Sequence, residues 1–223
     1  MKVLLYAVFL LFAVSGRGQT RHQLYIDSVS KGISQYIDSH KELLDSAEFI
    51  EYIKKLAFQF QGATDTLTLA QKRELPMEVM LRILHYNIYL TEKLYTAVPK
   101  NKYYAHGTSQ PPSSISREDC ASFWQYHKFT YHDSDSTLVH LTLDENYWID
   151  SMADGSFSKL TVDKFNDQTF QICFIESNNN FKRLASIPGD IYCYQILEKT
   201  DHSFKLSTHI LGKSSYDIFE LNY

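Results

Sequence analysis

The chain has 223 residues, 44% of them hydrophobic, with 22 basic and 26 acidic side chains for a formal net charge of −4. That length buries a core without help from disulfides. An acidic balance with no basic run disfavours nucleic acid or an anionic membrane as partner, because binding phosphate needs clustered Lys and Arg.

The chain opens MKVLLYAVFLLFAVSGRGQT: Lys2, an apolar run from Val3 to Val14, then small residues with Gly16 and Gly18. Such a run matches a signal-peptide core and is too short to span ~30 Å of hydrocarbon as a helix. Residues 1–18 are therefore read as a signal peptide and the protein as exported, periplasmic or secreted, with no stable membrane insertion after cleavage. No cysteine precedes Cys120, so none near the cleavage site can carry a lipid. Loss of Lys2 and Arg17 leaves the mature chain with 20 basic and 26 acidic side chains.

Residues 19–100 repeat their apolar positions at helical spacing. Ile26, Val29, Ile33, Tyr36 and Ile37 form one stripe, which predicts an amphipathic helix. Asp45 with Glu48 has capping-box spacing ahead of a second helix with Phe49, Ile53, Leu56 and Phe60, stopped by Gly62. Thr68 with Gln71 suits the cap of a short third helix. Pro76 then fits the first turn of a long fourth, with Met77, Met80, Leu84, Ile88 and Tyr95 along one side and Val79, Ile83, Tyr86, Leu90 and Leu94 widening the stripe.

Residues 101–117 contain "GTSQPPSSIS", whose composition marks a linker. From 118 to 223 the period falls to two, and turn signals such as "HDSDS", "DEN", "NDQ" and "PGD" recur between aromatic and β-branched runs, which predicts an antiparallel meander. Asp154-Gly155 is its clearest hairpin turn. Seven tyrosines, nine phenylalanines and two tryptophans after Cys120 imply a tightly filled interior, in a small barrel or a curved sheet. The fold class is α+β: an N-terminal helical domain followed by a β-meander, with a small lipocalin-like barrel as one form of it.

The stretch DCASFWQYHKFTYHD, 119–133, concentrates chemistry-bearing residues. Read as a strand over 122–132, it puts His127 on the apolar face with Phe123, Phe129 and Tyr131, and His132 opposite with Trp124 and Tyr126. Ligands on opposite faces cannot share one metal ion. Pairing with the next strand sets Val139, Leu141 and Leu143 against Tyr131, Phe129 and His127, and turns His140 outward opposite Thr130. No third group orients a Cys120–His127 pair for nucleophilic work, and zinc-protease, phosphate-loop and G-x-S-x-G patterns are absent from the sequence. "DSDST" lacks the glycine and distal glutamate of a calcium loop. No catalytic residue, metal site or cofactor is assigned. Cys173 and Cys193 form a disulfide if their strands are neighbours; otherwise the three cysteines are small buried hydrophobes.

Asp119, Cys120, Phe123, Lys128, Phe129 and Tyr131 resemble a group of uncharacterised exported bacterial proteins whose β-rich region opens with Asp-Cys, an aromatic, then Gly-Lys-Phe-x-Tyr. The resemblance extends through "YWIDSMADGSFSKL" and "DQTFQICFIES" over about the last hundred residues. It departs at His127, where the glycine is expected, and the spacing from Cys120 is one residue longer. The resemblance implies a lipocalin-like meander and no activity.

Three functions remain open. The first is a non-enzymatic binding or interaction protein of the bacterial envelope with a protein partner. The second is a carrier of a small apolar ligand in a β-cup, with His127, Phe129 and Tyr131 as ligand-binding residues. The third is a hydrolase with its site between the domains, where Tyr103, Tyr104 and His106 would form the interdomain surface.

Overall fold

The structure is a computed structural model describing residues 21–43, 68–87, 89–91, 102–134, 136–212 and 215–223. The expected leader over 1–18 and the helix expected from Asp45 to Gly62 lie outside the described residues, as do Ile88, Leu94 and Tyr95.

Two helices pack together ahead of the sheet. Helix α1, Arg21–Ser39, buries Ile26, Ile33 and Ile37 as its period predicts, and adds the small polar Ser30 and Ser34 to that face. Helix α2, Leu69–Tyr86, starts at a capping box: the Thr68 hydroxyl accepts from the Gln71 amide at 3.3 Å while the Gln71 side chain accepts from the Thr68 amide at 2.9 Å.

Two expectations are corrected in α2. It is one helix with Pro76 inside it, rather than a short helix and a long one. Pro76 and Lys72 are both exposed, so the carbonyl that loses its amide donor faces water. It also ends at Tyr86, and helical backbone resumes at 89–91. Asn87 leaves the helical conformation, donates its side-chain amide to the Ser34 carbonyl at 3.2 Å and accepts from the Leu90 amide at 2.9 Å.

The buried face of α2 is Leu75, Val79 and Ile83 together with Glu78 and Arg82, whereas Met77 and Met80 are exposed. Charges replace methionines on the inside because each is paired: Glu78 with His22 at 2.8 Å, Arg82 with Asp27 at 2.6 Å. Among the described residues no helix is long and apolar enough to cross a membrane.

After a short strand β1, Ala105–Gly107, and a helix α3, Arg117–Phe123, the chain forms an antiparallel meander: β2 Lys128–His132, β3 Leu138–Leu143, β4 Tyr147–Met152, β5 Phe157–Lys164, β6 Thr169–Ser177, β7 Ile191–Lys199, β8 Ser203–Ile210 and β9 Tyr216–Asn222. A further helix, α4, Asn180–Ala185, joins β6 to β7. Strand β9 pairs with β8 on one side and β2 on the other, closing β2–β9 into an eight-stranded barrel. The fold is α+β, with helices before a barrel.

The closing seam is short. β2 meets β9 at Thr130 and Asn222, and β1 continues the edge by pairing with Tyr216–Ile218. Within the segment read as a linker, β1 is therefore part of the sheet, and Ser113 and Ser114 bond the carbonyls of Ile196 and Leu197 at 3.0 Å. That cover explains why Ile196 and Leu197 are buried in succession, where the β7–β8 register shifts.

The expected register of β2 and β3 is observed: Phe129 faces Leu141, Thr130 faces His140 and Tyr131 faces Val139. The expected turn at Asp154-Gly155 is also present, although only Gly155 takes a positive φ, +82°. Gly155 donates its amide to Met152 at 3.0 Å, so the connection is a longer turn ending on a left-handed glycine, not a two-residue one.

Candidate functional site

The inward face of the barrel differs between its two ends. At the end where β2 begins, α3 caps the opening, because the Ser116 hydroxyl accepts from the Asp119 amide at 3.0 Å and starts a helix that delivers Phe123 into the core. Phe123 is fully buried, with its ring centroid 5.3 Å from Phe129, 5.9 Å from Phe170 and 5.1 Å from Phe204. Trp124 packs on Phe170 and donates to the Asp167 carbonyl at 2.9 Å. This end is filled by aromatic side chains.

The other end is hollow. A cavity of about 230 Å³ is lined by Tyr104, Tyr131, Trp148, Tyr192, Tyr194 and Phe219, with Ser158, Ser186, Thr208 and His209 among its polar groups. The strand alternation that turns Trp148 and Met152 inward on β4 also turns Asp150 inward, so a carboxylate sits where an apolar residue is usual.

Asp150 is only 6% exposed. It accepts from the Trp148 indole at 2.9 Å. Burial pushes its carboxyl up to about 6, against the pull of the Lys182 ammonium and of hydrogen bonds from Trp148 and Tyr131. It therefore carries its charge at neutral pH. Among the described residues no ion pair reaches it, since Lys182 is held by Asp133. Burial disfavours the charged form of Asp133 too, but Lys182 outweighs it and the Asp133 carboxyl is lowered.

The phenols stay neutral donors and acceptors. Burial raises Tyr131 and Tyr194, and pushes Tyr192 up to about 12. Tyr192 shares a 2.5 Å hydrogen bond with Ser186 just beyond α4. Burial lowers His209, which leaves it uncharged at neutral pH.

The helical pair is fixed beside the hollow end. Arg82 reaches Asp190, ahead of β7, through two hydrogen bonds of 2.7 and 3.0 Å while holding Asp27, and Arg183 of α4 reaches Glu74 of α2 at 2.7 Å. Burial works against the Arg82 charge, but Asp190 and Asp27 outweigh it and raise its pKa. Thr91 from the helical region lines the cavity.

The residues expected to bind a ligand separate. Tyr131 lines the cavity, whereas Phe129 lies in the aromatic plug. His127 was expected inside and is exposed. The strand expected over 122–132 starts only at Lys128, because α3 runs to Phe123; that ring fills the barrel end, and the His127 ring meets the Leu143 carbonyl at 3.1 Å. His132 stacks on Tyr103 at 3.9 Å between centroids.

Of the three residues expected between the domains, Tyr104 lines the cavity and stacks on Phe219, and His106 meets Asp217 at 3.0 Å on the adjacent strand. Cys173 and Cys193 lie on neighbouring strands but face Ile191 and Gln171, a diagonal offset. Diagonal neighbours sit ~7–8 Å apart, beyond disulfide reach, and all three cysteines are thiols. Burial raises the Cys120 thiol, and nearby Asp167 and Asp119 raise it further, so it is a poor nucleophile.

Asp150 was missed, although "YWIDSM" carries its signal: period two places it on the face of Trp148 and Met152. Tyr192 and Tyr194 follow the same rule with Ile196. Among the described residues no three His, Cys, Asp or Glu side chains gather as a metal site. Compared with known proteins, the chain matches no family, no curated protein and no solved structure.

Proposed function

We propose that the protein is a binding protein that holds a small molecule in the hollow end of its barrel. The observation that carries this reading is the buried Asp150 on the wall of a 230 Å³ cavity rich in aromatic faces. A barrel built only for stability would fill that end as it fills the other, and burying an unpaired carboxylate there costs stability. Aromatic walls with a few convergent polar groups are what a small-molecule site consists of. Of the carrier's expected features the cup is kept; the wholly apolar ligand and the part given to His127 are not.

The two tryptophans test this directly. The Trp148 indole bonds Asp150 in the cavity, while the Trp124 indole bonds the Asp167 carbonyl at the plugged end. In a screen of small soluble compounds by NMR, hits should shift the Trp148 indole N–H resonance and leave that of Trp124 in place. Hits that move only Trp124, or an absence of hits at Trp148, would count against a ligand in the barrel.

A further inference from the structure

We propose that the ligand is a small organic cation, an ammonium carried on a short aromatic or apolar body, with Asp150 as its counter-ion. This rests on the reading of the barrel as a binding cavity. Among the described residues the cavity wall holds three carboxylates, Asp133, Asp150 and Asp217, and one ammonium, Lys182. Lys182 is paired with Asp133, and Asp217 is engaged by the His106 ring at 3.0 Å. Asp150 is the carboxylate that no described cation pairs.

The rest of the wall suits the same chemistry. Among the described residues no arginine lines the cavity and burial lowers His209, so the described wall offers an anion little beyond Lys182. Trp148, Tyr131, Tyr192 and Tyr194 line the same cavity as Asp150, and the faces of their rings attract cations as well as apolar groups. An ammonium has three donors, and an ionised carboxylate offers acceptor sites beyond those used by Trp148 and Tyr131.

Size sets the remaining limit. An engineered apolar cavity of about 150 Å³ in another protein accepts benzene. The 230 Å³ here leaves room for one ring and a short arm.

The test is a charge series on one skeleton: 2-phenylethylammonium, 2-phenylethanol and 3-phenylpropionate, each titrated against the Trp148 indole resonance of the wild-type chain and of Asp150→Asn. The ammonium should bind about tenfold or more tightly than the other two, and Asp150→Asn should remove that advantage. The Trp124 resonance, at the plugged end, reports that the variant is folded. If the alcohol or the propionate binds wild type as tightly as the ammonium, or if Asp150→Asn binds the ammonium unchanged, the cation is wrong while the binding cavity stands. If no probe shifts Trp148 up to its solubility limit, both readings fall.

Discussion

The Trp148 indole donates to the Asp150 carboxylate at 2.9 Å from two residues away on the same inward face of β4. A tryptophan spends its donor, and a strand spends a core position, to keep a carboxylate inside the barrel. The charge is costly there, and its cost should be visible in the dependence of stability on pH.

Asp150 titrates near 6 when folded and near ~4 in an unfolded chain. Between those values the folded state retains a proton that the unfolded state has lost, so its contribution to stability falls as pH rises through the window. Of the groups facing it, Asp133 is held below the usual carboxylate range and Tyr131 well above the usual phenol range, so neither titrates there. Asp150→Asn should gain on wild type by about 2 kcal/mol between pH 4 and pH 7. Urea unfolding of both proteins at the two pH values gives that difference, and a constant gap would mean that Asp150 is not desolvated.

Arg82 is 2% exposed and holds Asp27 and Asp190 together. Arg82→Ala leaves two carboxylates without their cation and should cost about 3–5 kcal/mol. Because Asp190 belongs to the barrel and Asp27 to α1, hydrogen exchange should show α1 and α2 losing protection before the barrel strands do. Equal loss across the chain would argue that the helices and the barrel unfold as one unit.

Phe123 is the stopper of the plugged end. Phe123→Ala should destabilise by about 3–5 kcal/mol through lost burial and the cavity left behind. Ligand titrations at Trp148 should survive in this variant as long as it folds, since the hollow end lies beyond the ring cluster.

His127→Phe separates the carrier as read from sequence from the carrier as read from structure. His127 is exposed, so the substitution should leave ligand affinity unchanged and stability within about 0.5 kcal/mol. A marked loss of binding would return His127 to the site.

Much of the fold was legible in the sequence because alternation and register are local properties. Val139, Leu141 and Leu143 point inward in "LVHLTL", and the match to Phe129 and Tyr131 then follows. Closure of the barrel was not legible, since it depends on β9 returning to β2 through the contact of Thr130 with Asn222, 92 residues apart. His127 was misplaced because alternation was extended across the end of α3, where a helix supplies the inward ring instead. The helical stripe misled for another reason: paired charges such as Arg82 and Glu78 can displace methionines from a buried face, and a hydrophobic pattern does not record their partners. Asp150 was readable from its face, but not its isolation, which depends on Asp133 taking Lys182 from α4.

The most direct test of the central claim is intact mass measurement on the chain isolated natively from the cells that make it, under gentle and then denaturing conditions. A barrel that holds a small ligand should show additional mass in the first condition that disappears in the second, and Asp150→Asn should carry less of it. The bare chain mass in both conditions, for wild type as for the variant, would contradict the account.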